Sequence, residues 1–264
     1  MRAFRIMGVV NVTPDSFSDG GRFLDADAAV AHGERLAAEG ADVLDVGGES
    51  TRPGAEPVDA QEELRRVVGV IERLAGSGRQ LSIDTSKAQV AGAALEAGAT
   101  LVNDVTAFRA EPELAALVAQ AGAECCLMHM LGDPRTMQDD PRYDDVVSNV
   151  KAFLEARLAF AVAEGIPEER VMLDPGIGFG KTVEHNLALL RRLDELVALG
   201  RPVVVGTSRK SFLGRLTGAG VDDRLPGTIA TNVLALERGA TVFRVHDVAP
   251  VRDALAVAAA TVAG

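Results

Sequence analysis

Short apolar runs and longer stretches of helical periodicity alternate along the whole chain. The runs at residues 3–10, 41–46, 80–83, 101–102, 124–128, 171–173, 202–205 and 241–245 are rich in Val, Ile and Leu, as parallel strands covered on both faces should be. Between them, residues 25–39, 59–74, 85–97, 111–121, 143–164, 183–199, 224–238 and 250–262 carry apolar positions at helical spacing. In the segment 143–164, Val146, Val150, Phe153, Leu154, Leu158 and Ala161 fall on one face. Glycine closes most of these segments, at Gly40, Gly98, Gly122, Gly165, Gly200 and Gly239. Asp59 is placed to cap the second helix and Thr85-Ser86 the third. Strict strand–helix alternation over this length predicts an α/β fold, a (β/α)8 barrel, with an open doubly wound sheet as the alternative. No linker or charge run divides the chain, so residues 1–264 read as one domain.

In a barrel of this kind, chemistry belongs at the C-terminal ends of the strands. There the apolar runs stop at polar residues: Asn11, the loop 47–53, Asp84, Asn103, His129, Asp174, Lys210, and Arg244 with His246. The sixth run is the clearest case. It ends at Asp174 and opens into Pro175-Gly176-Ile177-Gly178-Phe179-Gly180-Lys181. Pro175 biases Asp174 toward extended geometry, the alternating glycines permit close backbone approach, and Phe179 offers a ring on which a flat ligand can stack. The segment is not a Walker loop, because Pro175 stands where the first glycine is required. Nor is it a dinucleotide fingerprint, because Lys181 replaces the third glycine.

The collected residues sort into two chemistries. Asp84, Asn103 and Asp174 suit a heterocycle with N–H donors and a guanidine-like edge. Arg52, Ser208, Arg209, Lys210, Arg244 and His246 suit phosphate or carboxylate. Simpler roles stand beside these: Asp84 and Asn103 as helix caps, His246 as a structural histidine, and His32 and His185 as helix-surface residues.

Charge narrows the ligand. The chain of 264 residues carries 27 Lys and Arg against 38 Asp and Glu, a net charge of −11, which argues against nucleic acid or an anionic membrane as partner. An anionic ligand must then be held by the local basic cluster. The four histidines are scattered, so any metal is expected to be oxygen-bound, such as Mg2+ held through a phosphate. Cys125 and Cys126 are adjacent in a strand, point to opposite faces, and read as buried thiols of a reducing compartment. No apolar stretch reaches 18 residues, and a cytoplasmic location is expected.

With these residues assembled, the chain resembles the dihydropteroate synthase family of pterin-binding barrels. The resemblance rests on Met7–Gly21, Asp45–Gly54, Ser82–Thr85, Asn103-Asp104, Asp174–Lys181, Gly206–Phe212 and Arg244–Asp247, in that order. It implies condensation of 6-hydroxymethyl-7,8-dihydropterin diphosphate with 4-aminobenzoate, giving 7,8-dihydropteroate and diphosphate. By that resemblance Asp84, Asn103, Asp174 and Lys210 hold the pterin, with Phe179 beside it. Asn11, Arg244 and His246 hold the diphosphate, Asn11 through Mg2+. Phe17, Thr51, Arg52, Pro53 and Ser211 form the aminobenzoate pocket, with Phe17, Thr51 and Pro53 lining the contact that sulfonamides share, and Asp19 stabilises the cation formed as diphosphate departs. Asp19, Lys210 and Asn11 are therefore the catalytic candidates. The resemblance also implies a homodimer, for which the apolar helices at 225–236 and 249–260 are candidate faces. Two other readings share the pterin half: a folate-to-corrinoid methyltransferase, and a catalytically silent pterin-binding paralogue.

Overall fold

A computed structural model describes residues 4–13, 22–51 and 54–262. The strands are β1 (Arg5–Asn11), β2 (Val43–Gly47), β3 (Gln80–Asp84), β4 (Leu101–Asp104), β5 (Glu124–Met128), β6 (Val171–Asp174), β7 (Val204–Val205) and β8 (Val242–Val245). They form one parallel sheet in the order β6-β5-β4-β3-β2-β1-β8-β7. The ring is closed by a parallel bridge from Leu173 to Val203, with the Leu173 N–H donating to the Pro202 carbonyl at 2.9 Å. The molecule is a (β/α)8 barrel. Helices α1 (Arg22–Glu39), α2 (Ala60–Leu74), α3 (Ala88–Glu96), α4 (Glu113–Ala121), α5 (Val146–Ala163), α6 (Val183–Arg191), α7 (Asp194–Val197), α8 (Ser211–Thr217), α9 (Leu225–Glu237) and α10 (Val248–Val262) accompany the strands.

Strand alternation sorts the apolar residues into two cores. Outward positions such as Leu44, Ile83, Val102, Cys125 and Leu173 pack against the helices. Inward positions Met7, Val43, Leu101, Cys126, Met172, Val204 and Val242 form a separate layer inside the barrel. Cys125 and Cys126 fall on opposite sides of that division, both as free buried thiols. Burying side chains of this size contributes about 1.5–3 kcal/mol each.

Several local details depart from the sequence reading. The segment 183–199 is two helices, because Arg192 leaves helical geometry at φ −112° and ψ 31°. Its guanidinium is shared between Asp145 (2.8 Å), the N-cap of α5, and Glu195 (2.6 Å). The seventh strand begins at Val204 rather than Pro202, which has no N–H to give to a ladder. The stretch after it folds as a short helix, α8. Asp59 does cap α2, accepting from Glu62 N–H at 2.8 Å. Thr85-Ser86 does not cap α3: its first N–H, at Ala88, donates instead to Glu111 at 2.7 Å.

Candidate active site

One pleat above the apolar layer, the inward positions turn polar. Asp45, fully buried, accepts from Ser82 Oγ (2.6 Å), Asn103 Nδ2 (3.1 Å) and Arg244 Nε (2.6 Å). The remaining edge of the guanidinium reaches Asp84, with Nη2 donating at 2.7 Å. Asp84 and Asn103 are therefore tied into the barrel mouth and are not helix caps. Burial pushes the Asp84 carboxyl up to about 7 against the pull of Arg244. Burial also opposes the Arg244 charge, but Asp45 and Asp84 outweigh it and hold the guanidinium above its ordinary value.

The other half of the cleft is built by the loops after β6 and β7. Burial raises Asp174, while the Gly176 N–H, donating at 2.6 Å, and the Lys210 charge pull it down. The Lys210 ammonium stands 3.8 Å above the centroid of the Phe179 ring, a cation–π pair. Burial pushes Lys210 down to about 7, with Asp174 pulling the other way. The glycines of this loop are required by its closeness to its neighbours. Gly176 has φ 66°, and a Cβ there would lie 1.9 Å from the His129 carbonyl oxygen. At Gly178, with φ 83°, a Cβ would press on Lys210 Cδ at 3.1 Å. Lys210 itself follows Arg209, a non-glycine residue at φ 55°.

These parts enclose one cleft of about 470 Å³, counting its open mouth, lined by Val9, Thr51, Asp84, Asn103, Val105, Met128, Asp174, Gly176, Ile177, Phe179, Gly206, Ser208, Lys210, Arg244 and His246. The residues predicted for the pterin and Arg244 with His246, predicted for the diphosphate, thus meet in one place. His246 is held by Ser208, whose Oγ accepts from the His246 backbone N–H at 3.1 Å and lies 3.0 Å from Nδ1. Thr51 lines the same cleft. Asn11 ends β1 on the same rim, in register with Gly47, and alternation from Val9 turns it inward. Ser211 begins α8 one residue past Lys210 and is exposed. Phe17, Asp19, Arg52 and Pro53 lie outside the described residues.

Some candidates serve structure instead. Arg209 is paired with Asp247 through two contacts, 3.0 and 2.6 Å, and does not line the cleft. His32 is partly buried, with Nε2 3.1 Å from the Val9 carbonyl and Nδ1 2.6 Å from Arg35. His185 completes a capping box with Thr182. His129 is buried behind the cleft, against Lys181.

Sequence reasoning gave no role to Asp45, although a lone carboxylate inside the apolar run Val43-Leu44-Asp45-Val46 was a signal. It also missed an ion network beneath the loop that carries Thr51. Lys87 bonds both Glu49 and the fully buried Glu63, while Glu49 also accepts from Val58 N–H at 3.1 Å.

A sequence profile described as "Pterin binding enzyme" matches residues 7–246. The dihydropteroate synthase of Neisseria meningitidis serogroup B is 48% identical over 259 residues, 96% of this chain and 91% of the relative. The chain belongs to the dihydropteroate synthase family. It is accordingly an enzyme, a transferase of folate biosynthesis. The fold agrees with that of solved dihydropteroate synthases. That of Xanthomonas albilineans with 4-aminobenzoic acid superposes with TM-score 0.93 at 51% identity, covering 98% of this chain and 93% of the other. A second structure of the Xanthomonas enzyme, in complex with 7,8-dihydropteroate, superposes with TM-score 0.89 at 48% identity, covering 98% and 94%.

Proposed function

We propose that this dihydropteroate synthase joins 6-hydroxymethyl-7,8-dihydropterin diphosphate to 4-aminobenzoate in the cleft described, and that the whole chain works as one barrel unit. The observation that carries the assignment of roles is the grouping of buried Asp84, Asn103 and Asp174 opposite the Lys210–Phe179 pair. The carboxylates and amide accept and donate along the edge of a pterin, and Lys210 donates to its acceptor atoms. His246 and Arg244 line the same cleft and are proposed to receive the diphosphate of such a ligand.

Reaction breaks the bond between the methylene carbon and the diphosphate oxygen, and the electron pair leaves with diphosphate. The methylene cation is stabilised by conjugation with the electron-rich ring, and the carboxylate of Asp19 is its proposed partner. The neutral arylamine nitrogen then bonds to that carbon and releases its proton to solvent. Thr51, with Phe17, Arg52, Pro53 and Ser211, is proposed to hold the aminobenzoate and to keep water from the cation. Catalysis is thus mainly electrostatic, through cations that meet growing negative charge on the leaving group.

Mg2+ fits this arrangement as a substrate-borne ion. It prefers oxygen ligands and keeps several waters when phosphate oxygens supply the rest. Among the described residues no cluster of three or more His, Cys, Asp or Glu forms a cage, and the Asn11 amide oxygen is the proposed protein donor. When bound, the ion neutralises charge on the departing diphosphate.

A homodimer is proposed through α9 and α10, which expose Leu234 (46%) and Val257 (69%). Sedimentation at the mass of one chain would remove that proposal. No described helix is long and apolar enough to cross a membrane. The two free, buried thiols support a reducing, cytoplasmic setting.

The test of function is release of diphosphate with Mg2+, in the presence and absence of 4-aminobenzoate, with dihydropteroate measured in parallel. Coupled release and product formation are expected. Tight pterin binding without product would instead identify a silent binding protein.

A further inference from the structure

Lys181 closes the glycine-rich loop, yet it is only 2% exposed. Its ammonium has three acceptors: His129 Nδ1 at 2.9 Å, the His129 carbonyl at 3.3 Å and the Phe179 carbonyl at 3.0 Å. None of the ion pairs among the described residues includes it. An ammonium buried without a contacting carboxylate is costly, and an apolar side chain would fill the same space without that cost. Burial accordingly pushes Lys181 down to about 7, only partly offset by Asp174. For His129 Nδ1 to accept, the imidazole must be neutral with its proton on Nε2. Burial and the neighbouring Lys181 hold it neutral, down to about 3.

The contacts around Lys181 follow a pattern. Three successive carbonyls of the loop are each taken by a side chain: Gly178 by Gln138 Nε2 (2.6 Å), Phe179 by Lys181 Nζ (3.0 Å) and Gly180 by the Tyr143 hydroxyl (2.8 Å). The His129 ring stands edge-on to Phe153 at 4.8 Å and is thereby fixed in orientation. Lys181 is the member that links the loop after β6 to the end of β5. Between the Gly178 and Gly180 carbonyls hangs Phe179, whose ring supports the Lys210 ammonium at 3.8 Å.

We propose that Lys181 is a positioning residue for the pterin diphosphate: by donating to His129 and to the Phe179 carbonyl it sets the height of the Phe179 ring and, through it, of Lys210. The inference rests on the pterin reading of this cleft. It predicts a selective effect, because Thr51 lines the cleft from beyond the end of β2, across the barrel mouth from β6.

The experiment is steady-state kinetics with each substrate varied, on the wild type, Lys181→Met, Tyr143→Phe and Asp174→Asn. Lys181→Met keeps the length of the side chain and removes its donors. It is expected to raise KM for the pterin diphosphate by about tenfold, with KM for 4-aminobenzoate and kcat within about twofold. Tyr143→Phe removes the hydroxyl that donates to the same loop and is expected to raise the pterin KM by about threefold, with only a small fall in the temperature of thermal unfolding. A folded Lys181→Met enzyme with unaltered pterin KM, or with equal rises for both substrates, would overturn the proposal. If Lys181→Met does not fold, Tyr143→Phe decides: a wild-type pterin KM overturns it and a selective rise supports it. Asp174→Asn separates the two levels of argument, since an unchanged pterin KM there would remove the cleft assignment itself.

Discussion

Met7, Val43, Leu101, Cys126, Met172, Val204 and Val242 form the apolar layer inside the barrel, and two positions further along each of those strands stand Val9, Asp45, Asn103, Met128, Asp174, Gly206 and Arg244. The two layers share the same backbone and the same inward face, separated by a single pleat. In the lower layer, contacts are apolar and close, and burial contributes directly to stability. At the upper layer the buried carboxylates of Asp45 and Asp84 and the Asn103 amide are gathered with the half-buried Arg244 guanidinium, at a desolvation cost that their mutual contacts only partly return. Replacing one layer should therefore change folding, and replacing the other should change turnover.

The largest effect is expected in the upper layer. Asp174→Asn keeps an oxygen for the Gly176 N–H but removes the charge facing the Lys210 side. We expect kcat/KM for the pterin diphosphate to fall by about 10²–10³, or roughly 3–4 kcal/mol. Stability should move the other way. Burial raises the folded pKa of Asp174, so its contribution to stability is present below the ordinary carboxylate range and is lost as pH rises. At neutral pH the asparagine variant should therefore unfold at the same or a higher temperature. A large drop in Tm with normal kinetics would contradict the division between layers.

The complementary change is Leu101→Ala, two residues below Asn103. Leu101 is fully buried in the apolar layer, and truncation leaves a cavity that costs about 2–5 kcal/mol. For a chain of this size Tm should drop by roughly 5–15 °C. Calorimetry gives that shift, and kinetics at 25 °C should show kcat/KM within about threefold of wild type. A hundredfold loss of activity would mean that the layers are mechanically coupled.

How much of this was legible depended on how far apart the partners are. Strand ends could be read because an apolar run that stops at Asp84, Asn103 or Asp174 is a local signal, and the barrel alternation then places those ends on one rim. The partners of those residues were not local. Asp84 meets Arg244 across 160 positions and Asp45 meets it across 199, so the caps that sequence suggested for Asp84 and Asn103 gave way to barrel-mouth contacts. The break at Arg192 has the same origin, since Asp145 lies 47 positions away. Lys181 read simply as the basic end of a glycine-rich loop, because its acceptor on His129 is 52 positions distant. Short α8 was missed for a different reason: seven residues with Gly214 among them give too little periodicity to register.

The smallest expected effect separates the layers by titration. In the lower layer the Cys126 thiol is pushed far up by burial and does not ionise near neutrality. In the upper layer burial pushes Lys210 down to about 7, so its ammonium is lost as pH rises through that value. If the cation is needed for the pterin diphosphate, kcat/KM for that substrate should decline by roughly tenfold between pH 7 and 8.5. Stability should respond with the opposite sign. A lysine whose folded pKa is depressed binds fewer protons when folded than when unfolded, so the free energy of unfolding rises with pH from about 7 toward the ordinary lysine value. Lys181, also pushed down to about 7, adds to the same rise. Lys210→Arg keeps the charge at every accessible pH and should flatten the alkaline limb of activity while leaving the Lys181 part of the stability curve. An alkaline limb that persists in Lys210→Arg would move the titration to another group of the cleft, and parallel rather than opposed curves would show that activity is lost through unfolding.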